Sequence, residues 1–478
     1  MTTQRQADAS GTQIHTEIEF TLRKFIRGVL PRLNEVLAKL APEWQIESKW
    51  KRGIDGHFRE SSKRTRILWP TLSNEWLQSQ PEYDLLIERL KSDDIVSSHL
   101  DRVVGTKMSR SCIDAGGILN SLIYAMLDDE GHLAFTDEHF DSKWSEFFGL
   151  FCADRIASKM VSPLPGMVVP SFPLQLSDEI VLDRLTDEEV TRCTQLGVIR
   201  PSPPRFPLIY GEIAVGIRRT MYLPKVIRGG NEPHEPPETW DEGSFGNRPI
   251  YQDQLVIDDV LSAFRLFKHT TIQTAGLVSW TDAIWLKGGS SYRVLGRWPF
   301  GGGCELSECE VPLFLELWHL LEKWGKSFVF TIRRFNLAFD RHLLDDRIVD
   351  LVIAAESLFL GDLDEKYRGE LRYRFALRAA KFIEHPNYGE RDVFRVMKGA
   401  YDARSAIVHG GSVSLKDTRL PDDKSADLAT FTNAIEEFVR LGIRKTLSMK
   451  ANAHKLRQSE SWDDLVFSKP DLLTPSPD

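Results

Sequence analysis

No stretch of this 478-residue chain is both apolar and uncharged over the roughly 20 residues that a membrane-spanning helix needs. Insertion in a bilayer is therefore not expected. The N-terminal run Met1-Thr-Thr-Gln-Arg-Gln-Ala-Asp is polar and lacks the apolar core of a signal peptide. Cysteine is scarce: Cys112, Cys152, Cys193, Cys304 and Cys309 are an odd, scattered set, which suits a reducing compartment better than a disulfide framework. The cytoplasm is the expected location. An excess of positive charge is missing too, since 61 Lys and Arg stand against 69 Asp and Glu for a net charge of −8. That balance argues against coating of nucleic acid or anionic membrane by the whole surface, so any RNA contact must be local.

Signatures of metal and nucleotide sites are equally thin. Gly288-Gly289 and Gly301-Gly302-Gly303 precede no Lys-Ser/Thr pair, and Lys287 comes before its glycines, so a turn or hinge is the better reading than a phosphate cradle. Cys304 and Cys309 lack zinc-knuckle spacing and a second ligand pair. The acidic clusters Asp128-Asp129-Glu130 with His132, and Asp137-Glu138-His139 with Asp141, invite a metal reading. Consecutive ligands on a turn rarely converge, whereas acids after Thr136 suit the first turn of a helix. No metal and no cofactor are expected.

What the chain does carry is a change of pattern along its length. The expected class is α+β multidomain: a mostly helical N-terminal region over 1–162, a β-rich or mixed middle domain over 163–310, an all-α bundle over 311–452 and a flexible tail over 453–478. Apolar residues from Ile18 to Leu40 follow a helical rhythm that Pro31 should kink or split. Further helical patterns cover 74–91, 113–127 and 140–159. Prolines at 163, 165 and 170 mark a linker, after which short apolar runs such as 180–182, 255–257 and 292–295 read as strands. Thr186 and Glu189 have capping-box spacing, and Gly229 to Pro249 is expected to be a long polar loop. Lys49 to Arg66 is basic and interleaved with aromatics; a solvated loop and strand is favoured there over a nucleic-acid contact.

From Val311 onward helical stripes return and persist. Residues Ile348, Leu351, Val352, Ala355, Leu358 and Phe359 share one broad face, with Glu356 at its edge. A carboxylate there needs a cation, and Arg378 or Arg404 are the candidates. Glu356 is then either a structural ion pair or the group that orients a catalytic Arg. Between Lys366 and Arg404 ten Lys or Arg face five Asp or Glu, the asymmetry of an RNA-contacting surface, with Arg372, Arg374, Arg395 and Lys398 as candidate RNA-binding residues.

A base, a cation and a helix stop coincide in Tyr401-Asp-Ala-Arg404-Ser405-Ala-Ile-Val-His409-Gly410-Gly411. Five helical steps separate Arg404 and His409 by about 140°, so they converge only if the last turn unwinds or a second subunit contributes. Together with Asp350 to Leu360 and Leu371 to Ala380, this wording resembles the Apea-like branch of the HEPN (higher eukaryotes and prokaryotes nucleotide-binding) domains, over roughly residues 311–450. The motif departs from the family at Ser405, where ribonuclease members often carry Asn, Asp or His. The resemblance implies a small dimerising helical bundle, a metal-independent ribonuclease centre and roles in prokaryotic antiviral defence and toxin systems. It also implies Arg404 and His409 as catalytic residues, with Glu356, Arg378 and Ser405 supporting them. Residues 1–310 would then bind a trigger or regulator. The alternatives are a non-catalytic HEPN scaffold for dimerisation or nucleotide binding, and a sensor whose working part is the first 300 residues.

Overall fold

The computed structural model describes residues 2–39, 44–54, 58–66, 75–100, 102–106, 109–112, 114–126, 134–199, 215–224, 226–227, 249–281, 291–294, 303–363, 370–413, 418–420 and 426–467. The chain divides into two units, each discontinuous in sequence. The first holds residues 1–163, 177–254 and 274–297, and the second 164–176, 255–273 and 298–478. This division differs from the three consecutive domains expected, because the second unit recruits two stretches from the middle of the chain.

In the first unit, α1 (Thr2–Ala38) is one helix that runs through Pro31. Pro31 is exposed while Ile18, Leu22, Ile26, Val29 and Leu33 are buried, so the apolar stripe holds the helix across the missing N–H. The stripe joins a core with α2 (Tyr83–Ser92), α3 (Asp94–His99), α4 (Ala115–Ala125) and α5 (Asp137–Cys152). Helix α5 brings Phe140, Trp144, Phe147 and Phe151, each buried; burying one such ring contributes about 1.5–3 kcal/mol. It begins where the acids predicted it would. The Thr136 hydroxyl accepts the His139 N–H at 3.2 Å, and the Asp137 carboxylate takes Arg27 at 2.5 Å and Arg23 at 3.0 Å. The second acidic cluster is thus an ion-paired helix start. Residues 128–132 lie outside the described residues, and among those described no group of three or more His, Cys, Asp or Glu could hold a metal.

The helical expectation for 140–159 is corrected at Cys152: burial changes to a strand pattern, and β5 (Arg155–Pro163) follows. The N-terminal region also contains the antiparallel hairpin β1 (Trp44–Arg52) and β2 (Phe58–Arg66) and the pair β3 (Arg102–Thr106) and β4 (Ser109–Cys112). One sheet orders β10 (Ser291–Val294), β9 (Gly276–Thr281), β5, β7 (Val215–Pro224) and β6 (Ile180–Arg184), with antiparallel neighbours throughout. The short β8 (Val226–Ile227) pairs with β3. Helix α6 (Asp187–Gln195) opens with the expected capping box, in which Thr186 N–H donates to Glu189 at 2.7 Å and Glu189 N–H to Thr186 at 3.2 Å.

Residues 255–257, expected as a strand, lie inside the 19-residue helix α7 (Pro249–Phe267). The apolar run continues at helical spacing through Ile257, Val260, Leu261 and Phe264, all buried, and that period decides the outcome. Of the expected loop at 229–249, all but Pro249 lies outside the described residues.

The second unit is helical, apart from the parallel pair Met167–Val168 with Cys304–Glu305. After the part of α7 from Leu255 come α8 (Glu310–Trp324), α9 (Val329–Ala338), α10 (Leu344–Phe359), α11 (Leu371–Phe382), α12 (Glu390–Val408), α13 (Leu428–Ser448) and α14 (Ser459–Val466). Helix α10 packs against α9, α11, α12 and α13, burying the predicted face from Ile348 to Phe359. Gly442 of α13 lets this happen: a Cβ there would stand 3.2 Å from the side chains of Leu358 and Phe359. The flexible tail is corrected for residues 453–467. Trp462 is fully buried, donates its indole N–H to the Leu456 carbonyl at 2.8 Å and meets Phe359 and Phe382 edge-on. A single tryptophan can fix a segment whose other residues are polar.

Asp259 of α7 gives a test of this packing. The side chain reaches solvent, yet partial desolvation by the surrounding chain, then Asp258 and Glu322, push its carboxyl up to about 6, against the pull of Lys326. With a folded pKa above the ordinary 3.8, the group is neutral in both states at low pH and disfavours folding as pH rises through about 6. Asp259→Asn is therefore expected to raise the melting temperature above about pH 6 and to leave it unchanged below about pH 4. An equal gain at both ends of a pH series would assign the effect to packing instead.

Candidate active site at the end of helix α12

Helix α12 presents Val393, Val396, Met397, Ala400 and Ala403 to the core, all buried. Arg404, the next residue, is thereby held at the core edge, with 29 % of its side chain exposed. The helix stops as the glycines require. Gly410 has φ +77°, its N–H donates to the Ile407 carbonyl at 3.0 Å, and the Gly411 N–H donates to Ala406 at 2.8 Å, a Schellman ending. His409 is the exposed C-cap at φ −89°, ψ 11°, with its N–H on the Ser405 carbonyl at 3.2 Å. The last turn therefore does not unwind.

Glu356 projects from α10 toward this helix, and its cation is Arg404: the Nη2 to Oε2 distance is 3.5 Å. Burial pushes the Glu356 carboxyl up and the Arg404 charge opposes that shift. At 3.5 Å the pair is loose, and the Arg404 Nε is buried without a hydrogen-bond partner. A guanidinium has five N–H donors, so several here remain uncommitted. Such a group can take an anionic oxygen without first breaking a tight bidentate pair.

Arg378, the other candidate partner for Glu356, is turned away. Its guanidinium grips Asp362 at 2.5 and 3.1 Å, donates to the Phe359 carbonyl at 2.8 Å and lies over the Trp462 ring. It ties the end of α10 to α11 and is not brought to Arg404. Arg372 pairs with Asp402. Arg374 is exposed, Arg395 and Ser405 are half-buried, and the Lys398 ammonium sits 5.8 Å from the Phe394 ring centre. The basic excess on α11 and α12 is thus partly neutralised, Lys381 pairing with Glu390 at 2.7 Å as well.

Comparison with protein-family models, with curated proteins and with solved structures finds no match. The site is therefore judged by its own geometry. That geometry adds one residue absent from the expected set, Tyr401. Burial pushes its phenol up, Glu356 adds to the shift, and Arg404 opposes it. Its ring packs on Phe375 at 5.6 Å. The signal was present in the sequence, since Tyr401 and Arg404 are three residues apart and share a helix face.

Proposed function

We propose that this chain is a metal-independent endoribonuclease of the HEPN type, centred on Arg404 and His409. The observation that carries the reading is a loosely paired arginine and an exposed histidine on the last turn of one helix. A ribose 2′-OH attacks the neighbouring phosphate when one group handles its proton and another stabilises the added charge. His409 handles the proton; Arg404 stabilises the phosphorane, and Glu356 orients Arg404. The products carry 2′,3′-cyclic phosphate and 5′-hydroxyl ends. Because the helical path is intact between Arg404 and His409, one subunit keeps them on different sides of the helix. A two-fold dimer through the C-terminal helices lets one symmetric cleft collect both residues from each subunit. Residues 1–310 would sense a trigger or restrain the centre, as a cytoplasmic defence or toxin protein requires. No described helix is long and apolar enough to cross a membrane, in keeping with that setting.

The test is incubation of the full-length protein with end-labelled RNA in EDTA, followed by mapping of the ends. Cyclic phosphate ends are expected. Intact RNA would promote the non-catalytic scaffold instead, and ends bearing 5′-phosphate would replace 2′-OH attack by attack of water.

A further inference from the structure

The hairpin β1–β2 concentrates charge that the proposed chemistry does not use. Its eighteen paired residues hold seven Lys or Arg against two Glu, in a chain whose net charge is −8. Strand alternation sorts the described side chains between two faces. Trp50 and Phe58 lie on one face, only 4 % and 5 % exposed. Arg52 shares that face: its guanidinium covers the Phe58 ring at 4.5 Å and donates to the Leu185 carbonyl at 3.0 Å. The other face carries Lys49, Lys51, Arg59 and Ser61, all exposed.

The pairing on that outer face works against stability. Lys51 stands directly opposite Arg59, and Lys49 opposite Ser61. Like charges directly opposite on a sheet destabilise it. Neither Lys49 nor Lys51 makes an ion pair among the described residues. A polyanion laid on this face would relieve the repulsion. Strand addition at the outer edge of β1 is closed off as well. There the Trp50 N–H donates to the Thr191 hydroxyl and the Arg52 N–H to the Asp187 carboxylate, both at 2.9 Å, from helix α6. The exposed side-chain face, by contrast, is open and offers positive charge.

We propose that this face of the hairpin is an RNA-binding surface, with Lys49, Lys51 and Arg59 against the phosphates of a single strand. The choice of RNA rests on the ribonuclease reading; the need for an anionic strand rests on the hairpin alone. Such a surface supplies affinity without sequence choice.

The experiment measures binding of a labelled single-stranded RNA across a salt series, using full-length protein with His409→Ala so that the RNA stays intact. Adding Lys49→Glu and Lys51→Glu is expected to weaken binding at least about tenfold and to reduce the slope of log K against log salt by about 1.4, two contacts at about 0.7 each. The melting temperature should not fall, because Lys51→Glu replaces a repulsive pair with an attractive one. Lys49→Gln with Lys51→Gln should give an intermediate loss and serves if the reversal does not fold. Unchanged affinity and slope in a folded variant overturn the proposal. Weaker binding by the charge variants, with no cleavage by the parent protein, sinks the ribonuclease reading and leaves the surface standing.

Discussion

Replacing His409 by alanine is expected to lower RNA cleavage by about 10²–10⁴-fold, the usual cost of losing a proton-transfer group, and Arg404→Ala by a comparable factor. Both should remove any cellular toxicity. The folds should survive. His409 is exposed at the helix end, so its loss removes at most a dipole contribution of about 1 kcal/mol. Among the described residues Arg404 has a single loose ion pair, and its removal leaves Glu356, whose carboxyl burial pushes up, at the partly exposed core edge. On the proposed reading the two side chains act on one transition state, so the double variant should be little worse than either single one. Thermal melts and metal-free cleavage assays on the three proteins decide the matter. Undiminished cleavage by a well-folded His409→Ala protein would end the ribonuclease assignment.

Glu436→Ala should have the opposite profile, a large loss of stability, because Glu436 lies at the centre of a buried charge cluster. Its fully buried carboxylate takes the Arg440 guanidinium at 3.0 Å, the His269 Nδ1 at 2.7 Å and Arg347. Burial alone would push the carboxyl up, but the His269 hydrogen bond and the charges of Arg347 and Arg440 outweigh it and hold the group below its ordinary value. Truncation leaves the buried Arg440 with only the more exposed Glu437 beside it among the described residues and Arg347 without Glu436, at a cost of up to about 3–5 kcal/mol. The sign with pH follows from the lowered carboxyl. Its contribution is complete above the ordinary value of 4.5 and is lost as pH falls through the folded pKa, so the variant's deficit should shrink in acid. Urea titrations at neutral and acid pH read both effects, and a deficit under about 1 kcal/mol at neutral pH would mean that the arginines find water or new partners.

The C-terminal helices were legible because their information is local. The stripe from Ile348 to Phe359 and the double glycine after His409 each fix an element without reference to distant chain. Partner choice was not legible. Arg378 could have met Glu356 by composition, and it meets Asp362 instead because the turn after α10 brings that carboxylate beneath it. The basic hairpin reads in the sequence as a solvated loop and strand, and Lys49, Lys51 and Arg59 are indeed exposed; the register that sets Lys51 opposite Arg59 was not legible there. Helix α7 was hidden by the frequent turns around it, and the packing of 453–467 by a mostly polar sequence around Trp462.

The discontinuity of the second unit bears on how the protein can be dissected. A clone beginning at residue 311 looks like a domain in sequence but lacks 164–176 and 255–273, which fold with it. Phe314 would lose the stacked Phe264 at 4.5 Å, Asn336 would lose Arg265, and Glu436 would lose His269. Freshly uncovered aromatic surface and an altered charge cluster would then favour aggregation. Inactivity in such a fragment would report a damaged core and say nothing about Arg404 or His409. The sequence order also prevents a simple exchange of effector halves between related chains, because a graft must carry three separate segments to bring one intact unit.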